Sequence, residues 1–289
     1  MNNVNGIVDA MLLSPLGCAF LRHAAASNLS PAEIVTPQNS WYLAAFASDD
    51  VKIWRNNYQE NRGKMLDLGP QNRDPAISIV EHASNSHWFK PLDVTSQMHL
   101  PRYDQKPTQA NFTTPRPELN SWERYAEKIE GYMFTHTYID GGASIYVATD
   151  EHAGDIDTEQ KPPYKSWLLT TESNIRVFEV EDANGWHSLC ARYPTEGSNT
   201  SDSPDFSMDP GRIVPNWHAV AKDWDAVNVS FGAMLLADQV RVESEAGWTY
   251  HWTWQIEQTL WLRWAFAAVK PLPEHTPQRG PDIGARSLF

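Results

Sequence analysis

The chain has 289 residues, 41% hydrophobic and 20% charged, which is the composition of a globular protein with a substantial core and not of a disordered one. Lys and Arg number 23 against 36 Asp and Glu, and the net charge of -13 argues against non-specific nucleic-acid binding and against attraction to an anionic membrane. Two cysteines, Cys18 and Cys190, make neither a disulfide framework nor a zinc site by themselves, and such usage suits a reducing compartment.

The first apolar stretch, Ala10 to Phe20, is broken by Ser14, Pro15 and Gly17 and is too short to cross a bilayer. No basic residue precedes it, and Asp9 stands where a signal peptide carries positive charge. It reads as a folded helix, and the expected location is cytoplasmic. Ser30-Pro31-Ala32-Glu33 is a helix start: a capping Ser, Pro at the first position and Glu at the third. Trp41 to Trp54 continues at mixed three and four spacing, as a helix does. Residues 66–75 read as a loop, Trp88-Phe89 as part of a strand, and the proline-rich run Pro101 to Pro117 as a linker or long surface connection.

After a short helix opening at Ser121, Tyr132 to Tyr138 is aromatic and β-branched, the pattern of a strand. Ser144 to Ala148 reads as a second strand or a helix start, and residues 149–163 as an acidic loop. Trp167 to Thr170 and Ile175 to Val180 read as strands, with Asp182 capping a helix whose one face carries Trp186, Leu189 and Cys190. Pro215 opens a helix with Trp217, Val220, Ala221 and Trp224 on one side. Strands follow at Val227 to Phe231, around Gln239 to Glu243, and from Trp248 to Trp264.

Tryptophan concentrates between Trp217 and Trp264, which marks the packed centre of the C-terminal half. The expected core comprises Phe178, Val180, Trp186, Leu189, Trp217, Val227, Val229, Trp254, Leu260 and Trp261. Helices and strands mix without strict βαβ alternation, so the fold class is α+β. It is organised as an N-terminal helical region (1–65), a mainly antiparallel core with flanking helices (66–270) and a polar C-terminal arm (271–289).

Neither a dinucleotide glycine loop, a P-loop, a nucleophile elbow nor a zincin motif is present, and no two of the ten histidines stand four apart. No metal is expected. The informative segment is Trp252 to Trp261. Extended, it places Thr253, Gln255, Glu257 and Thr259 on one face and Trp252, Trp254, Ile256, Gln258 and Leu260 on the other. A carboxylate in so apolar a strand is costly to desolvate unless something binds it. Two readings follow: Glu257 and Gln255 build a site for a hydroxyl-rich ligand, or Glu257 pairs with Arg263 or Arg241 at a sheet edge and the Trp face is core.

A second polar set, Thr135 and Thr137 around His136, sits in the strand Phe134 to Tyr138. Together, Phe134-Thr135-His136-Thr137 and Gln255-Ile256-Glu257 resemble the core motifs of ADP-ribosyltransferases. In that family the Ser/Thr motif lies on a central strand and organises a cleft between two small sheets. The later Glu contacts the nicotinamide ribose 2′-hydroxyl, and the residue two before it helps select the acceptor. The resemblance implies NAD as substrate, Glu257 and Gln255 as catalytic residues, and Thr135, Thr137, Tyr138 and Tyr146 around the NAD. It implies an acceptor that is a protein or a small molecule. His136 in the middle of the first motif departs from the family pattern, and only Asp93, Thr95, Gln97 and Arg102 stand near the place of its first-strand Arg or His.

The segments at 176–180, 215–217 and 257–264 also resemble actinobacterial proteins of uncharacterised role, a likeness that implies no activity. Two other readings stand beside the transferase: a non-enzymatic protein binding a partner through a Trp-rich surface, and a glycan-active protein with Glu243 and Glu257 as its carboxylate pair. The transferase reading requires Glu257 to face a cleft with Thr135 or Thr137. The interaction reading requires it to be ion-paired at an edge.

Overall fold

The computed structural model describes residues 3–51, 58–67, 69–101, 103–117, 132–138, 160–195, 211–249, 251 and 257–276. The helical region begins with α1 (Val4–Leu13) and α2 (Pro15–Ala26), which meet at 103°. The corner has a local cause. Ser14 ends α1 with its backbone N–H on the Met11 carbonyl, and its side chain accepts from Gly17 N to cap α2, where Pro15 takes the first position. A Cβ at Gly17 would collide with the Met11 and Leu235 carbonyls, so only glycine lets the corner close. Among the described residues no single helix is long and apolar enough to cross a membrane.

Helices α3 (Pro31–Ile34), α4 (Pro37–Asp50), α5 (Tyr58–Asp67) and α6 (Arg73–Ala83) complete the region. The capping box forms: Ser30 accepts from Glu33 N, and the Glu33 carboxylate accepts from Ser30 N. The expected loop at 66–75 is instead the end of α5, a 3-10 turn at Gly69–Asn72 and the start of α6. The turn residues that suggested a loop serve the short connection between two helices. Trp88-Phe89 is likewise a 3-10 turn, His87–Phe89, and not a strand; Ser86 caps it through Trp88 N. The helix expected at Ser121 and the segment Ser144 to Ala148 lie outside the described residues.

The fold is α+β, as its mixed pattern indicates. One sheet runs in the order β4-β5-β8-β2-β1-β3-β9, made of β1 (Gln97–His99), β2 (Met133–Thr137), β3 (Trp167–Thr171), β4 (Val177–Val180), β5 (Ala226–Val229), β8 (Gln258–Trp261) and β9 (Phe266–Pro271). All its neighbours are antiparallel except β4 and β5, which are joined through α7 (Ala183–Arg192) and α8 (Trp217–Asp223). The expected strand Val227 to Phe231 ends at Val229, because Ser230 caps a new helix, α9 (Phe231–Ala237), by accepting from Ala233 N. Gln239 sits in a turn at positive φ, and the strand near it starts later. The hairpin β6 (Val242–Ser244) and β7 (Gly247–Thr249) stands apart from the main sheet. Among the described residues, the strand expected from Trp248 to Trp264 is represented by two, β7 and β8. The arm begins by pairing: Tyr164 and His275 exchange backbone hydrogen bonds.

Strand alternation sorts the sheet's two faces. Val180, Val227, Val229 and Leu260 join the helices in one continuous core that includes Phe20, Leu43, Val80, Trp186, Trp217 and Phe231. Met133, Leu169, Ala226, Trp261 and Phe266 form a smaller core on the opposite face. Every expected core residue within the described set is buried or packed against this core; Trp254 lies outside it. Cys18 and Cys190 are both buried thiols, and burial pushes Cys18 up to about 12.

Candidate functional site

The two motifs meet. β2 and β8 are antiparallel neighbours, with Phe134 opposite Leu260 and Thr135 opposite Thr259. Glu257 immediately precedes β8 and is 4% exposed. Thr137, 120 residues earlier in the chain, donates its hydroxyl to Glu257 Oε1 at 2.7 Å and its backbone N–H to the same oxygen at 3.1 Å. His136 holds the neighbouring backbone through Nδ1 and the Glu257 carbonyl, 2.7 Å apart. Within the described part of the Trp252 to Trp261 segment, β8 starts at Gln258 and keeps the expected alternation: Leu260 packs in the main core while Thr259 hydrogen-bonds on the other face.

The sheet-edge ion pair does not form. Arg263 is committed to Asp225 and Glu172, and Arg241 pairs with Glu243 while lying over the Trp248 ring. β8 lies inside the sheet, between β5 and β2. No cation reaches Glu257 among the described residues. Burial raises its carboxyl to about 7, against the lowering effect of the Thr137 hydroxyl and N–H. The carboxylates of the glycan reading are also unlike: Glu243 is an exposed, ion-paired group on the separate hairpin.

Glu257 and Thr137 open onto a cavity of about 410 Å³, within the usual range for a small-molecule site. It lies at the end of the sheet, with the helical region as its other wall, and not between two small sheets. Tyr138, Asn228 and Ser230 come from the sheet end, Val35, Pro37 and Trp41 from α3–α4, and His87, Lys90 and Asp93 from the connection into β1. Burial, with the nearby Lys90 charge, lowers His87 to about 4, so it is neutral at pH 7. Trp41 and His87 meet edge to face at 6.2 Å, and His87 lies 5.6 Å from Phe231.

Of the site residues read from the sequence, Glu257, Thr137 and Tyr138 line this cavity. Thr135 does not. Its hydroxyl donates to Gln97 Oε1 at 2.6 Å and accepts from Trp261 Nε1 at 2.8 Å, in a fully buried network. Gln97 Nε2 in turn donates to the Asp93 carbonyl at 2.9 Å, so Thr135 supports the pocket rim from behind. Gln255 and Tyr146, together with Arg102, lie outside the described residues. Trp217, Trp248 and Trp261, from the Trp-rich half, are buried core. Among the described residues no three His, Cys, Asp or Glu side chains stand together as a metal site.

Sequence reasoning missed Trp41, His87, Asn228, Ser230 and Phe231. A signal existed for Asn228, an amide between two valines in a wholly buried strand. Trp41 and His87 carried none, since their place depends on how the helices fold back over the sheet end. No family model, no curated protein and no solved structure matches the chain.

Proposed function

We propose that this pocket is the active site of an ADP-ribosyltransferase-like enzyme that cleaves NAD and transfers ADP-ribose to an acceptor. The observation that carries the reading is the direct bond from the Thr137 hydroxyl to the buried, cation-free Glu257 carboxylate at a cavity wall. In the proposed reaction the bond between the ribose anomeric carbon and the nicotinamide nitrogen breaks. Its electron pair neutralises the pyridinium ring, which leaves as nicotinamide. Positive charge develops on the ribose, and the Glu257 carboxylate stabilises it in a partly dry site where an aligned charge acts strongly. Thr137 fixes the carboxylate's orientation, and the Tyr138 ring flanks the nicotinamide. The acceptor's nucleophilic atom then bonds to the anomeric carbon and releases its proton.

The test is NAD binding and nicotinamide release by the purified protein beside Glu257→Gln. Cleavage is expected to fall by about two orders of magnitude or more, the scale of removing one electrostatic stabiliser, with NAD binding retained. Absence of both binding and cleavage in both proteins refutes the reading.

A further inference from the structure

The sheet end of the pocket is rich in hydrogen-bond acceptors. Asn228 is 2% exposed, and its Nδ2 donates to Thr259 Oγ1 at 2.9 Å and to the Gln258 carbonyl at 3.4 Å. A carbonyl only accepts, so these contacts fix the amide's orientation. Oδ1 is left without a donor from any described residue, on a side chain that lines the cavity. Among the described residues Glu257 takes its side-chain bonds from Thr137 alone and has no Lys or Arg partner. Ser230 Oγ, also at the wall, already accepts from Ala233 N. Beyond these groups the wall carries Val35, Pro37, Pro91, Leu92 and Phe231, with Ser86 and with Trp41, whose buried Nε1–H has no partner among the described residues, on the side away from the sheet. The remaining ionisable lining groups are Lys90 and Asp93, both exposed at the rim, His87, which is neutral, and Tyr138.

A buried acceptor without a donor is costly, and so is a buried carboxylate without a counter-charge. A ligand that supplied a carboxylate or phosphate there would set acceptor against acceptor and anion against anion. An ammonium group supplies three donors, no acceptor and the missing counter-charge. We propose that the pocket binds an organic ammonium ion, with its –NH3+ held between Glu257 and Asn228 and its hydrocarbon or aromatic body against Trp41 and Phe231. This binding uses the pocket described above and does not rest on NAD cleavage. Lys90 stays at the solvent edge, where its charge is screened from the buried end.

The probe is benzylamine, compared with benzyl alcohol, which has nearly the same shape, and with benzoate. Titration calorimetry at pH 8 is run on the full chain and on Glu257→Gln and Asn228→Leu. Benzylamine is expected to bind saturably and at least about tenfold more tightly than benzyl alcohol, and benzoate not to bind. Glu257→Gln should remove the preference for the amine, and Asn228→Leu should weaken amine binding several-fold with little change for the alcohol. Lack of saturable benzylamine binding, equal binding of the alcohol, or an amine preference that survives both substitutions overturns the proposal. If Glu257→Gln does not fold, the amine–alcohol comparison and Asn228→Leu still decide. NAD cleavage by a protein without amine preference removes this proposal and leaves the cleavage reading standing. Amine preference without cleavage does the reverse.

Discussion

Glu257 makes the stability of the protein depend on pH in a direction opposite to most carboxylates. Its folded-state value of about 7 stands above the ordinary 4.5 because burial disfavours the ionised form. A group raised on folding favours the native state most below its unfolded value, and that advantage is lost as pH rises through the folded value. The window is therefore about 4.5 to 7. At about 1.36 kcal/mol per pH unit the full effect is on the order of 3 kcal/mol, or roughly 5–10 °C in Tm for a chain of this size. Glu257→Gln removes the titration but keeps an oxygen that accepts from Thr137. Urea unfolding of both proteins at several pH values from 4.5 to 8.5 isolates the effect, since every other ionisable group is common to the two. The stability of the variant minus that of the wild type should climb by up to about 3 kcal/mol between pH 4.5 and 7 and then level off. A difference that stays flat across the range would show that Glu257 ionises freely, and would remove both the desolvated carboxylate and the site chemistry built on it.

Asp225 shows the opposite sign. Burial alone would raise it, but the Arg263 hydrogen bond, the Arg176 backbone N–H and both guanidinium charges outweigh burial and hold it below the usual carboxylate range. Asp225→Ala leaves the Arg176 backbone N–H without its acceptor and takes from Arg263 the nearer of its two carboxylates, Glu172 remaining, and should cost about 2 kcal/mol near neutral pH, less in acid. An equal loss at pH 3 and pH 7 in chemical denaturation would contradict the assignment. Thr135→Val leaves Gln97 Oε1 and Trp261 Nε1 without their shared partner and should cost about 2 kcal/mol, read by urea unfolding followed by the total tryptophan emission. Stability within a few tenths of wild type would show that the network is dispensable.

The fold was legible where local chemistry and tertiary packing agree. The Ser30 box, the Asp182 cap, the strand Met133–Thr137 and the buried Val180, Val227, Val229 and Leu260 all follow from patterns that packing reinforces. The errors share one cause: short apolar runs do not declare their period. Trp88-Phe89 and Phe231 look like strand residues in isolation, and only the serines before them, Ser86 and Ser230, reveal capped turns of helix. The site was half legible. Glu257 and Thr137 stood out as polar groups in apolar strands, but the sign of the Glu257 environment depended on where Arg263 and Arg241 went, and Asp225 and Glu243 claim those two residues. The opposite wall was illegible, because Trp41 and His87 reach the pocket only through the packing of helices against the sheet end.

The register itself argues that the unmet acceptors belong to a built site and not to a packing defect. On the face of the sheet that carries Glu257, Met133, Trp261 and Ala226 stand in one row and are apolar. Thr135, Thr259 and Asn228 form the next row. The first two are fully buried and bonded, while Asn228 spends its amide nitrogen on Thr259 and keeps an oxygen with no donor from any described residue, on a side chain that lines the cavity. Beyond them, at the strand ends, Thr137 and Glu257 meet the cavity. Spare acceptor capacity thus rises toward the pocket, from a largely apolar row, through the bonded Thr135 and Thr259, to Asn228 and Glu257 at the cavity. A random defect has no reason to follow strand register. Substitution of Thr135 or Thr259 should therefore change stability, and substitution of Asn228 or Glu257 should change ligand binding as well, because only the latter two line the cavity.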